Sequence, residues 1–216
     1  MKKLIGLLII QILILSSCPS PIKSEISESP DPGNPPILEK ENLFLSKDSG
    51  RLFSTNIFEF GAGTGATYWM EEVEPTSVFL GFEIDMKKIS GHSLGGYGVF
   101  FSQKNGGLDS FSALTVLINI AGEYCVGLID QGSFSYLKEW TDCISLNRGY
   151  SQNNRISITS PSPGFFRISL NGVHVLEFKD SSNPVHEGGG SGYLAVVSPL
   201  ENFPSIPVSI EFYPVP

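Results

Sequence analysis

Residues 165–180 read FFRISLNGVHVLEFKD. Phe166, Ile168 and Leu170 alternate with Arg167, Ser169 and Asn171, the period of two that sends neighbouring side chains to opposite faces of a strand. Asn171-Gly172 follows, and both central residues of a type I′ turn need positive φ, so the stretch predicts a β-hairpin. The same period recurs on either side. In 78–86, Val78, Leu80, Phe82, Ile84 and Met86 alternate with Phe79, Gly81, Glu83 and Asp85. Leu114, Val116, Ile118 and Ile120 alternate with Ala113, Thr115, Leu117 and Asn119, and Val208, Ile210 and Phe212 flank Ser209 and Glu211. Turn signals separate these runs at 105–107 (NGG), 130–133 (DQGS) and 188–190 (GGG). No amphipathic helix longer than two turns is legible. About a dozen short strands in one domain predict an all-β sandwich, with an apolar core between two sheets and polar outer faces.

Composition supports this. The chain has 216 residues, only 17% of them charged, with 23 Gly and 15 Pro. That suits short strands and tight turns better than a helical bundle. The net charge is −8, which argues against a nucleic-acid binder, since phosphate recognition needs a basic face.

The first residues read as an address. Lys2 and Lys3 precede twelve mostly apolar residues, 4–15 (LIGLLIIQILIL), too few to span a bilayer and of the right length for a signal peptide. The segment ends Leu15-Ser16-Ser17-Cys18, which resembles the lipobox of bacterial lipoproteins. The resemblance implies cleavage after residue 17 and lipidation of Cys18, with several acyl chains giving a stable membrane anchor. Ordinary cleavage near Ser16 or Ser17, leaving Cys18 a free thiol, is the rival. Pro19 stands where inner-membrane retention in enteric bacteria uses Asp, so the resemblance implies the outer membrane. Residues 18–50 continue with Pro, Ser and Glu, a composition that cannot bury enough apolar surface to fold, and read as a disordered tether. The expected organisation is therefore a signal peptide over 1–17, a lipidated Cys18 with its tether over 18–50, and a sandwich domain over 51–216.

Five runs carry a further likeness: GGYGVFF (95–101), GEYCVGLID (122–130), FSYLKEW (134–140), NNRISI (153–158) and the opening hairpin. In this order they resemble the concanavalin A-like jelly roll, and within it the laminin G-like domains of bacterial surface and sugar-active proteins. The resemblance implies a two-sheet jelly roll, often with a concave face used for glycans. It does not imply one activity.

Three motifs suggest chemistry. Residues 59–65 (EFGAGTG), with Asp85 downstream, look like a methyltransferase cofactor loop, but Gly91, Gly95, Gly96 and Gly98 occupy the place where a helix is required. Gly91-His92-Ser93-Leu94-Gly95 matches the hydrolase nucleophile elbow, but the residues after it read as a strand, whereas an elbow needs a helix there. Glu83-Ile84-Asp85 resembles the start of the catalytic strand of laminarinase-like glycosidases. Alternation puts both carboxylates on one face, yet Met86, Lys87 and Lys88 follow where a third acid is needed. Glu83 and Asp85 are left as solvated charges, as part of a binding face, or as catalytic groups with a distant partner.

Cys125 and Cys143 are a disulfide candidate, since an extracytoplasmic chain permits a bridge and a hairpin at 131–132 brings their segments near each other. Two buried thiols are the alternative. Trp69 and Trp140 are candidate sugar-stacking residues, or else core. Asp180, Asn183 and Glu187 share a loop but make too weak a pattern for calcium. No catalytic residue, metal or cofactor is predicted, and no nucleotide or nucleic-acid partner. The expected partners are a membrane, through the lipid, and a glycan or surface protein bound by a non-catalytic sandwich. A carbohydrate-active hydrolase and a purely structural surface protein are the other readings.

Overall fold

The computed structural model describes residues 50–54, 67–74, 79–104, 111–131, 133–182, 185–197 and 207–215, with the backbone alone for 67–74. Within them the alternating runs become twelve strands. These are β1 (Arg51–Ser54), β2 (Thr67–Glu74), β3 (Gly81–Ser90), β4 (Tyr97–Lys104), β5 (Ser112–Ile118), β6 (Glu123–Asp130), β7 (Ser133–Asp142), β8 (Asn154–Ser162), β9 (Phe165–Leu170), β10 (Val173–Lys179), β11 (Gly190–Val197) and β12 (Ser209–Pro214). They form two six-stranded sheets, ordered β1-β12-β3-β8-β9-β10 and β2-β11-β4-β5-β6-β7. Every pairing is antiparallel. This is the two-sheet jelly-roll sandwich that the sequence predicts. The signal peptide, Cys18, the tether up to residue 49, residues 59–65, the turn at 105–107 and Asn183 lie outside the described residues.

The core follows from the alternation. Ile84 and Met86 of β3, Ile156 and Ile158 of β8, and Phe166, Ile168 and Leu170 of β9 pack in one cluster with Val99 and Phe101 of β4 and Leu114, Val116 and Ile118 of β5. Rings meet across the layers: Phe101 lies edge-on to Phe166 at 5.2 Å, and Tyr193 of β11 stacks on Phe212 of β12 at 4.9 Å. Each such side chain, fully buried, contributes about 1.5–3 kcal/mol. The opening hairpin forms as expected, with φ of 51° at Asn171 and 79° at Gly172.

Three expectations need correction, and one buried charge was not foreseen. Leu80 is 77% exposed and Phe79 is buried instead, because the strand begins only at Gly81; Phe79 packs on Phe101 and Phe166 while its N–H donates to the Glu187 carbonyl. Lys88, in phase with Ile84 and Met86, is fully buried. The outer face of the second sheet is apolar rather than polar. There Leu117, Cys125, Ile129 and Leu194 form a second cluster beneath partly exposed Phe111, Phe134, Trp140 and Val196. Gly127 makes room for this cover, since a Cβ at that position would lie 2.3 Å from the Phe134 ring. The third correction is the disulfide. Cys125 and Cys143 are free, and they belong to different clusters, Cys125 to this outer one and Cys143 to the core between the sheets.

The sheet edges are irregular. Strand β1 has four residues. Strands β2, β7 and β10 each carry at least one extra residue relative to their partner, at 72–74, 136–141 and 174–176.

Candidate functional site

Pairing of β3 with β8 sets Glu83 opposite Ser157 and Asp85 opposite Arg155, and alternation turns all four to the outer face of the first sheet. Their side chains connect. Arg155 donates from Nε to Asp85 Oδ1 and from Nη2 to Asp85 Oδ2, both at 2.7 Å, the two-pronged geometry that matches a guanidinium to a carboxylate. Ser157 Oγ donates to Glu83 Oε1 at 2.6 Å, while Arg155 Nη1 and Glu83 Oε2 stand 3.9 Å apart. The hydrogen bond and charge of Asp85 hold Arg155 above the ordinary guanidinium value, so it stays a cation.

These residues line an open groove of ≈ 480 Å³, together with Asn147, Asn153, Asn154, Asn171 and Gly172 at the end that carries the β7–β8 loop and the β9–β10 turn. The asparagines lock that end. Buried Asn154 accepts through Oδ1 from the Asn147 N–H (2.8 Å) and from Asn171 Nδ2 (2.9 Å), and donates through Nδ2 to the Asn147 carbonyl (3.0 Å). Asn171 also donates to the Ser145 carbonyl and accepts from the Arg155 N–H. The β7–β8 loop is thus tied to the β9–β10 turn, and the backbone that carries Arg155 is held by the same amides.

The flanks are polar too. Tyr213 of β12 sits opposite Asp85, and its hydroxyl donates to Glu211 Oε2 at 2.6 Å. Lys87 pairs with the same Glu211 oxygen at 2.7 Å, and that hydrogen bond and charge raise the Lys87 pKa. On the other side Arg167 pairs with Glu177 at 3.2 Å.

The other sequence candidates fall elsewhere. Trp140 lies on the second sheet, packed over Gly96 and Leu117, so it covers the outer cluster and does not share a face with Glu83 and Asp85. Trp69 stands on β2 opposite Ala195, also in the second sheet. The 91–95 loop joins β3 to β4 with no helix after it. It wraps the buried Lys88 ammonium, which donates to the His92 carbonyl at 2.7 Å and the Gly95 carbonyl at 3.1 Å, and leaves Ser93 exposed. Sequence reasoning missed Arg155, Ser157 and Asn154. The one available signal was that NNRISI carries its polar residues in the strand period that Glu83 and Asp85 follow.

A second polar network was also unforeseen. His186 Nδ1 meets Asp180 Oδ2 at 2.8 Å and His186 Nε2 meets Ser112 Oγ at 3.0 Å, the connectivity of a hydrolase triad. All three residues are buried, at 0, 8 and 5% exposure for His186, Asp180 and Ser112. Asp180 Oδ2 also accepts from the His186 N–H and from Ser182 Oγ, both at 2.6 Å. The network ties the 180–186 segment to the start of β5. Burial alone would raise the Asp180 pKa, but hydrogen bonds from Ser182 and His186 outweigh it and bring it to about 2; burial lowers the His186 pKa. Among the described residues, no group of three His, Cys, Asp or Glu is placed to hold a metal ion.

No family model matches the chain, and no curated protein does. Solved structures are similar to it. The carbohydrate binding module CBM66 from Bacillus subtilis aligns at 13% identity and a TM-score of 0.48, over 68% of this chain and 78% of its own. Galectin-11 of sheep aligns at 10% and 0.42, over 60% and 93%. The galectin LEC-6 of Caenorhabditis elegans aligns at 12% and 0.42, over 69% and 91%. The likeness is one of fold alone.

Proposed function

We propose that this chain is an extracytoplasmic lipoprotein whose sandwich domain binds a glycan in the groove between β3, β8 and the β9–β10 turn. The observation that carries the reading is the groove's lining. Small-molecule pockets are mostly apolar with a few polar groups. Here, among the described residues, two carboxylates, a guanidinium, a hydroxyl and four amides line ≈ 480 Å³ with no apolar side chain. Such a surface suits a ligand that hydrogen-bonds along its whole edge, as a saccharide does. Holding is favoured over cutting because both Asp85 oxygens are committed to Arg155, which leaves one carboxylate with an uncommitted oxygen where glycoside hydrolysis needs two acting groups. The test is a glycan array probed with the full-length protein in detergent, alongside a reducing-sugar assay. Binding that is lost in Arg155→Ala supports the reading; release of sugar by the wild type would replace it with the hydrolase.

The anchor rests on the sequence of 1–18. Cleavage before Cys18, lipidation of its thiol and retention at the outer membrane place the domain at the end of the 18–50 tether. Palmitate labelling of the wild type and its loss in Cys18→Ser is the expected result, and labelling that survives the substitution would refute it.

A further inference from the structure

We infer that the groove selects uncharged sugars and that Arg155 and Glu83 together make the selection, by seating one ligand hydroxyl between Arg155 Nη1 and Glu83 Oε2. The inference rests on the glycan reading and narrows it to a ligand class. The two atoms are 3.9 Å apart, too far to bond each other well. A hydroxyl oxygen at about 2.8 Å from each fits between them, accepting from the guanidinium and donating to the carboxylate. Of the groups a sugar can offer, a hydroxyl is the one that does both. A carboxylate only accepts, so it would satisfy Arg155 and face Glu83 with like charge. An ammonium only donates, so it would satisfy Glu83 and face Arg155.

The surrounding charges point the same way. Each cation that lines or flanks the groove already has a carboxylate: Arg155 has Asp85 at 2.7 Å, Lys87 has Glu211 at 2.7 Å and Arg167 has Glu177 at 3.2 Å. A uronate, sialate or sulfate would have to displace one of these acids, while Glu83 adds a negative charge whose nearby cation, Arg155 at 3.9 Å, is already paired with Asp85. The neighbouring Ser157 Oγ, which donates to Glu83 Oε1, can accept from an adjacent hydroxyl, so a vicinal diol fits better than an isolated one.

The test uses the full-length protein in detergent, titrated by ligand-observed NMR with matched neutral hexose, hexuronate and amino-hexose forms of glucose, galactose and mannose. The neutral form of at least one set is expected to bind, with its uronate weaker by about tenfold or more. Glu83→Gln keeps an acceptor but removes the charge, so it should shrink the gap between neutral and uronate forms while leaving the melting curve near wild type. A uronate or amino sugar preferred over its neutral counterpart would overturn the inference and leave the glycan reading standing. Failure of every form to bind would overturn the inference, and with no binding on the glycan array either it would sink both.

Discussion

Asp85 of β3 and Arg155 of β8 lie seventy positions apart in the chain and meet through two parallel hydrogen bonds of 2.7 Å. The pair fixes the plane of the guanidinium and leaves Nη1 pointing at Glu83, so a contact between two sheet strands sets the geometry of the groove.

Arg155→Lys tests the fork. Lysine keeps the charge but makes no two-pronged contact. The expected result is at least a tenfold loss of glycan binding, about the worth of one charge-assisted hydrogen bond, with the fold retained by circular dichroism. Unchanged binding would assign Arg155 no part in the site.

Asn154→Ala removes a buried amide that satisfies three polar groups, two on exposed Asn147 and one on half-buried Asn171. Losing these bonds costs roughly 1–3 kcal/mol. Urea unfolding should show that loss, and hydrogen exchange should speed up in the β7–β8 loop and the β9–β10 turn. A loss below 1 kcal/mol (on the scale of an ordinary surface change) would refute the lock.

Gly98→Ala would place a Cβ 2.0 Å from the Val116 carbonyl oxygen, on the central pair β4–β5, where backbone cannot yield. Destabilisation of about 3 kcal/mol or a failure to fold is expected. Gly172→Ala meets nothing within 4 Å but sits at φ 79°, so its smaller cost, about 1 kcal/mol, is one of backbone conformation. Comparing the two by thermal melting separates contact from strain.

Acid should weaken the domain through Asp180 and His186. The folded Asp180 value, about 2, lies below the unfolded value of about 3.9, so its stabilisation is present above the unfolded value and lost as pH falls through the window between them. The folded His186 value is also lowered, so the unfolded chain takes up a proton first, and stability begins to fall as pH drops below about 6.5. Urea midpoints at pH 7.5, 5 and 3 should decline in that order, and Asp180→Asn should be less stable at pH 7.5 with a flatter decline. A flat wild-type profile would dissociate this network from stability.

Both domain thiols should be silent until the protein unfolds, because burial pushes the Cys125 thiol up and Cys143 lies in the core. Denatured without reductant, the membrane-extracted protein should titrate two thiols if Cys18 carries lipid. Three would mean an unmodified Cys18, and none would mean a bridge.

The hairpin at 165–180 was legible because its information is local: an alternating strand and an Asn-Gly pair that the left-handed region accommodates. Placing Glu83 and Asp85 on one face needed only the period of two. Arg155 was not legible, because a charged residue on an outward position looks the same whether it faces solvent or a carboxylate on a strand seventy residues away. Trp140 was left between two readings for a related reason, since an aromatic on an edge strand reads alike as a sugar platform and as a cover for Leu117. Lys88 broke the pattern outright. Its burial depends on the His92 and Gly95 carbonyls, which only the loop's path brings within reach.

The irregular borders of the two sheets bear on life at high density. A straight edge strand invites a neighbouring molecule to continue the ladder, but among the described residues three of the four outermost strands hold a surplus residue that throws the spacing of their N–H and C=O groups out of step, and the fourth has four residues. Borders of this kind are poor templates for a second copy, so the sheets are shaped against growing from one molecule into the next.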